Sequence, residues 1–178
     1  MRHFDFLKWL WLAGLLYTFW KGYVFYQQGS VEQAVGYAML CSVCIMLFLR
    51  HLTDFYYLHM KMKKIDRLSG SAFEKYLEVQ FRYLGYHVRR TSQSHDYGAD
   101  LILKKHRKKI VVQAKRYAKN VGIAAVQEAV GSIAYYGADE AMVVTNSGFT
   151  KNAKILARQN AVTLWDRREI QKKFHIKG

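Results

Sequence analysis

The sequence predicts an α/β protein, a three-layer α/β/α domain built on a mixed sheet and preceded by an apolar two-helix hairpin. Three observations lead there. From Ser71 onward, stretches with helical periodicity alternate with short apolar runs of strand length. An acid at the head of one such run, Asp100, is followed in the next run by Gln113-Ala-Lys115. Residues 1–50 are a different material, apolar and aromatic with few charges.

In chain order, Phe6 to Tyr26 is broken only by Lys8 and Lys21. A helix of about 21 residues spans roughly 31 Å, the thickness of a bilayer core. Gln27-Gln-Gly-Ser30 reads as a polar turn, and Ala34 to Leu49 then runs without a charge. Residues 1–50 are therefore expected to form a two-pass transmembrane hairpin. Arg2 and Lys8 flank the first pass, and Arg50, Lys61, Lys63, Lys64 and Arg67 follow the second. Basic residues favour the cytoplasmic side of the cell membrane, so both termini and the following domain are expected there. A cleaved signal peptide fits less well, because a second apolar run follows the first and no small-x-small site does. The density of Trp, Tyr and Phe also argues against buried helices of a soluble domain. Cys41 and Cys44 form C-x-x-C inside the second apolar run, with no second pair to complete four ligands. They read as membrane residues without zinc or redox chemistry.

Residues 51–68 are expected to form a basic helical stalk, with Leu52, Phe55, Tyr56, Leu58 and Met62 near helical spacing. Residues 69–178 are long enough for one modest core. Ser71 to Leu84 reads as a helix stopped by Gly85, and Tyr86 to Arg90 as a strand. Asp100-Leu-Ile-Leu-Lys and Lys109 to Lys115 read as strands joined by the basic turn Lys105-His-Arg-Lys. Helix Ile123 to Tyr136, strand Ala141 to Thr145, helix Lys151 to Gln159 and strand Val162 to Trp165 follow, with a last helix from Glu169 to Phe174. This order gives a mixed sheet with helices on both faces. The chain has no proline, no repeat and no low-complexity tract.

Side chains alternate along a strand, so Val111, Gln113 and Lys115 share one face and Asp100 can meet them from the neighbouring strand. An acid, an amide oxygen and a lysine at one point can hold a divalent metal and an attacking water beside a phosphate. Mg2+, or Mn2+ in its place, prefers hard oxygen ligands and keeps several waters. Asp100, the Gln113 side-chain oxygen and the Ala114 carbonyl are the candidate ligands. Lys115 would stabilise charge growing on the phosphate. A net charge of +15, with all but three of the 28 Lys and Arg from Arg50 onward, suits a domain that meets a polyanion. Charge alone fits the cytoplasmic side of a membrane protein equally well; beside the Asp, Gln and Lys pattern, it points to nucleic acid. The seven histidines show no ligand spacing on any helix.

A set of short motifs runs in order along the chain: Gly70-Ser-Ala-Phe-Glu74, Leu84-Gly-Tyr86, Asp96-Tyr-Gly-Ala-Asp100, Gln113-Ala-Lys-Arg116, Val126-Gln-Glu128, Thr145-Asn-Ser-Gly-Phe-Thr150 and Leu164-Trp-Asp166. By these residues the stretch from Ser69 to about Ile170 resembles the Mrr-type catalytic domain of restriction endonucleases, within the PD-(D/E)xK nuclease superfamily. It departs from the superfamily pattern in having Ala99 in place of Pro and Gln113 in place of the second acid. The resemblance implies a restriction-endonuclease-like core and a divalent-metal-dependent endodeoxyribonuclease, in restriction or defence against foreign DNA. Its catalytic set would be Asp100, Gln113 and Lys115, with Glu74 of the first helix compensating for the lost acid. The local alternative for Glu74 is a capping box with Ser71. Asp96 reads either as a turn residue or as an acid orienting the site. Gln127 and Glu128 read either as approaching the metal or as a solvated helix face.

Arg116, Lys119, Thr145, Asn146, Ser147 and Thr150 are the candidate DNA contacts, the last four at a helix N-terminus where they could equally serve as caps. Lys104, Lys105, Arg107, Lys108 and Lys109 flank the basic turn and suit phosphates or simple solubility. The expected partners are DNA and the membrane, with a homodimer where both strands are cut and a separate specificity partner where the target is chosen elsewhere. Three other readings use the same residues: a structure-selective repair or recombination nuclease, a membrane-tethered non-catalytic nucleic-acid-binding module, and a scaffold whose basic stalk binds anionic lipid.

Overall fold

The computed structural model describes residues 2–91 and 97–176, with side chains from Leu10 onward. The chain divides into two compact units, Met1–Tyr56 and Tyr57–Gly178.

The first unit holds helix α1 (Arg2–Gln27) and most of helix α2 (Val31–Leu58). Gly29 takes the left-handed conformation (φ 74°) in the turn between them, and Ser30 N donates back to Phe25 O at 3.0 Å. Gly22 lets α1 approach α2, since a Cβ built there would lie 3.3 Å from that of Tyr37. Phe25 stacks on Tyr37 with ring centroids 5.5 Å apart. Among the described residues, α2 is the one helix long and apolar enough to cross a membrane, with a mean hydropathy of 1.7 over its most apolar 18 residues. It buries none of its residues. The first helix, expected as a pass of its own, does not reach that standard, because Tyr17, Trp20, Lys21, Tyr23 and Tyr26 are amphipathic and dilute its hydropathy.

Helix α2 carries on past the uncharged run that closes at Leu49 and through the first part of the expected stalk to Leu58. Beyond it lies the short helix α3 (Met62–Ile65). The remainder of the expected stalk is core: Met60, Met62 and Ile65 are at most 5% exposed. Gln80 Nε2 also donates to Tyr57 O at 3.2 Å.

Helix α4 (Gly70–Tyr83) starts from Ser69, whose Oγ accepts Ala72 N at 3.2 Å, and ends at Gly85 (φ 83°). Strands β1 (His87–Arg90), β2 (Leu101–Lys105) and β3 (Lys108–Lys115) follow, then helix α5 (Ile123–Tyr136), strand β4 (Glu140–Thr145), helix α6 (Lys151–Gln159), strand β5 (Thr163–Trp165) and helix α7 (Arg167–Lys173). The five strands pair in the order β1-β2-β3-β4-β5. The first three are antiparallel, and β3, β4 and β5 are parallel. Helix α7 starts two residues before its expected place because Asp166 accepts from Arg168 N and Glu169 N.

Alternation along the strands builds a core on each face. Leu101, Leu103, Ile110, Val112 and Val144 pack with Phe73, Tyr76 and Phe81 of α4 and with Ile170 of α7. Val111, Ala141 and Val143 pack on the other face with Ala125, Val126 and Ala129 of α5 and Ala153 of α6. Such near-continuous apolar strands require cover on both sides. Burial of each large side chain contributes about 1.5–3 kcal/mol.

Candidate active site

Asp100 sits one residue before β2 and continues its ladder. Its N–H donates to Val112 O at 2.9 Å and its carbonyl accepts Thr91 N at 3.0 Å. Because Leu101 pairs with Val112, Asp100 falls opposite Gln113. The Asp100 carboxylate Oδ2 accepts the backbone N–H of Ala114 at 2.7 Å. A charge-assisted bond of this length fixes the acid against the middle of the Gln-x-Lys segment.

Gln113 is 4% exposed, and its Oε1 is buried with no hydrogen-bond partner among the described residues. An amide oxygen in that state normally costs about 1–3 kcal/mol, so its place in the site calls for a ligand-facing account. Lys115, two residues on and thus on the same face, places Nζ 2.7 Å from Glu128 Oε2 of α5. Burial pushes the lysine pKa down, but the bond and charge of Glu128, with smaller contributions from Asp100 and Tyr117, outweigh it and hold the amine above its ordinary value. Lys115 is therefore an ammonium at neutral pH, and Asp100 lies within electrostatic reach of it.

Gly98 explains how these elements come together. Its φ is 84°, and a Cβ there would lie 2.4 Å from the Glu128 carbonyl oxygen. Only glycine lets the lead into Asp100 lie directly against α5 at Glu128. Beside it, Tyr97 stacks on Tyr135 with centroids 3.9 Å apart.

Glu74 is held elsewhere. Its Oε2 lies 2.9 Å from Arg90 Nη2, which also donates to Ser71 Oγ at 3.2 Å. Helix α4 covers the sheet face opposite α5. The capping box weighed for Ser71 and Glu74 does not form, because Ser69 caps the helix. Of the second-helix pair, Glu128 reaches the site and Gln127 is exposed. Asp96 lies outside the described residues.

Most of the residues expected to touch DNA have bonds within the fold. Thr145 Oγ1 accepts Ser147 N at 3.3 Å, and Ser147 Oγ donates to Lys119 O at 2.8 Å. Asn146, 3% exposed, accepts Tyr117 N at 2.9 Å and donates to Asp66 Oδ1 at 3.0 Å. Thr150 caps α6 through Ala153 N at 3.2 Å. Around the β2–β3 turn, Lys105 and Lys109 donate to the carbonyls of Leu84 and Tyr136, and Lys108 pairs with Glu140. The side chains of Arg116 and Lys119 make no ion pair among the described residues.

Sequence reasoning missed Asp66 and Arg167, which form a two-pronged pair at 2.7 and 2.9 Å. Burial raises the Asp66 pKa, but its bonds to Arg167 and Asn146 and the charges of Arg167 and Arg116 hold it below 3.8. The available signal was a lone acid in an otherwise basic stretch, Lys61 to Arg67. Among the described residues, no group of three or more His, Cys, Asp or Glu converges as a metal site.

The five-stranded mixed sheet thus carries an acid and a Gln-x-Lys segment at adjacent strand ends. The restriction endonuclease family Mrr_cat matches residues 65–174, and the chain belongs to it. Residues 65–174 are thus a domain of the restriction endonuclease type. No match is found among curated proteins. Among solved structures, the chain is similar to the crystal structure of a protein of unknown function, AF1548, at 12% identity and a TM-score of 0.46, over 52% of this chain and 55% of that one. The chain thus spans about half of that protein's length.

Proposed function

We propose that this chain is a membrane-anchored, divalent-metal-dependent endodeoxyribonuclease that hydrolyses DNA phosphodiester bonds in restriction or defence against foreign DNA. The observation that carries the catalytic part is the meeting of Asp100, Gln113 and Lys115 on one sheet face, with Gln113 Oε1 buried and without a hydrogen-bond partner among the described residues.

The donor set fits a hard cation. Asp100 supplies the carboxylate, Gln113 the amide oxygen and Ala114 a backbone carbonyl, a set that suits Mg2+ or Mn2+ retaining several waters. When bound, the ion polarises the phosphodiester and lowers the pKa of the attacking water. Asp100 is kept in place by Ala114 N–H, and Lys115, held by Glu128, places positive charge where the phosphate gains negative charge.

Helix α2 is the membrane-crossing element of the anchor, α1 lies beside it as a second pass, and both termini face the cytoplasm by the distribution of basic residues. The test is nicking of supercoiled plasmid by the full chain in detergent, with Mg2+, Mn2+ or a chelator, beside Asp100→Asn and Lys115→Ala. Metal-dependent nicking lost in both variants supports the reading. Nicking that survives chelation, or that persists in both variants, overturns it.

A further inference from the structure

β3 and β4 run side by side as far as Lys115 and Thr145, then part. They meet again at Val121 and Phe149, where Val121 N donates to Gly148 O at 2.8 Å and Thr150 N to Val121 O at 2.9 Å. Between these points both chains bulge, and with the start of α7 they enclose a cleft of about 750 Å3. It lies at the C-terminal ends of the parallel strands, the usual place for a ligand in an open α/β sheet.

The walls of the cleft are fixed by bonds already described, those of Asn146, Ser147 and the Asp66–Arg167 pair. Other groups are left over. Lys154 and Arg168 line the cleft, are exposed and make no ion pair among the described residues. Arg116, near enough for its charge to act on Asp66, has a buried Nε without a hydrogen-bond partner among the described residues. Tyr117 also lines the cleft and is 51% exposed. Its backbone N–H holds the loop through Asn146, so the side chain has no part in that anchor. Tyr117 is two residues past Lys115 and interacts electrostatically with its amine. Among the residues that line the cleft, Tyr117 is the nearest to Lys115 along the chain, on the segment that leaves β3.

Unpaired cations and an exposed aromatic ring in a polar hollow match the parts of a nucleotide, phosphate and base. An intact duplex keeps its bases stacked inside and offers none to a hollow. An aromatic ring within one can stack only on a base that has left its pair. We infer that the cleft receives an unpaired nucleotide next to the scissile phosphodiester, with Tyr117 stacking on the base and Lys154 and Arg168 meeting the flanking phosphates. The substrate is then DNA carrying an unpaired segment at the cut, such as a gap, flap or frayed end. This deepens the nuclease reading by naming its substrate class, and rests on it.

The test uses the full chain in detergent. In chelator, binding of a labelled oligothymidylate of about 12 nucleotides, a length within the usual site size, is compared by fluorescence anisotropy with a blunt duplex of the same length. The single strand binds more tightly to the wild type. Tyr117→Ala weakens that binding about tenfold and leaves duplex binding unchanged, and Tyr117→Phe restores it. Lys154→Gln with Arg168→Gln lowers the slope of log affinity against log salt by about 0.7 for each cation. With Mg2+, gapped duplex is cut faster than intact duplex, and Tyr117→Ala removes the preference. Unchanged single-strand affinity in Tyr117→Ala, or equal cutting of gapped and intact duplex by the wild type, overturns the inference while the nuclease reading stands. If the wild type cuts no DNA with either metal, the nuclease reading falls, and the binding comparison still decides what the cleft holds.

Discussion

Replacing Asp100 in two ways separates the chemistry of the site from its folding. The carboxylate accepts Ala114 N–H at 2.7 Å in a half-buried strand end. Asp100→Ala removes that acceptor and leaves the N–H without a partner, at about 1–3 kcal/mol. Asp100→Asn keeps an oxygen where the acid had one, so it loses only the difference between a charged and a neutral acceptor, about 1 kcal/mol. For a domain of this size roughly 4 °C of melting temperature corresponds to each kcal/mol. The alanine variant should then melt about 4–12 °C lower and the asparagine variant about 4 °C lower. Cleavage is expected to fall by about 100-fold or more in both, since each loses the carboxylate of a site that stabilises transition-state charge. Melting followed by circular dichroism, beside initial nicking rates in Mg2+, reads both effects. An asparagine variant that nicks within about tenfold of wild type would refute the metal-ligand role. Equal melting of the two variants would refute the structural role of the Ala114 bond.

Glu128→Gln should lower kcat with little change in KM. The 2.7 Å pair with Lys115, discounted because Glu128 is 41% exposed, is worth about 0.5–1 kcal/mol, or roughly 2–5-fold in rate. In a Lys115→Ala background the same substitution should have no further effect, and an additive loss would mean that Glu128 acts by another route. Asp66→Asn should melt below the wild type at neutral pH. The Asp66 pKa is held below its ordinary 3.8, so its contribution is present above that pH and fades as pH falls through the folded value. The melting gap should therefore be constant above about pH 5 and close under acid, and a gap that persists would assign it to packing. A fragment starting at Ser69 loses Met60, Met62 and Ile65, each at most 5% exposed. At about 1.5–3 kcal/mol apiece that rivals the whole stability of a domain. It should show no cooperative melt, whereas one starting at Tyr57 should.

How far the sequence could be read depended on whether a signal was local. Helix α5 was legible to the residue, because Gly137 ends it in the left-handed conformation (φ 54°), and α6 likewise, because Thr150 caps it. Asp100, Gln113 and Lys115 could be placed together from strand alternation alone. The end of the stalk could not be read, since an apolar repeat of helical period looks the same whether it faces lipid, water or a core. The start of α7 is signalled locally, because Asp166-x-x-Glu169 has the spacing of a capping box. Asp66 and Arg167 are 101 positions apart and meet only once the sheet is built. Glu128 stood evenly between a site residue and a solvated one until the packing of α5 on β3 decided it.

That last contact bears on how a nuclease site tolerates glutamine in place of an acid. With Gln113 neutral, Asp100 is the carboxylate of its strand pair, and a free Lys115 ammonium beside it would cancel the charge that attracts a divalent ion. The Glu128 carboxylate at 2.7 Å from Lys115 offsets that ammonium. On the proposed reading the formal charges of Asp100, Lys115 and Glu128 sum to minus one, which would attract a divalent cation while Lys115 keeps a positive head for the phosphate. A fourth charge at Gln113 would raise the attraction for the ion and also the repulsion of the DNA backbone. Gly98 makes the arrangement possible, because a side chain there would push α5, and Glu128 with it, away from Lys115. The substitution at Gln113 and the close packing at Gly98 thus belong to one electrostatic balance, held by a helix that sequence periodicity alone describes as ordinary cover for a sheet.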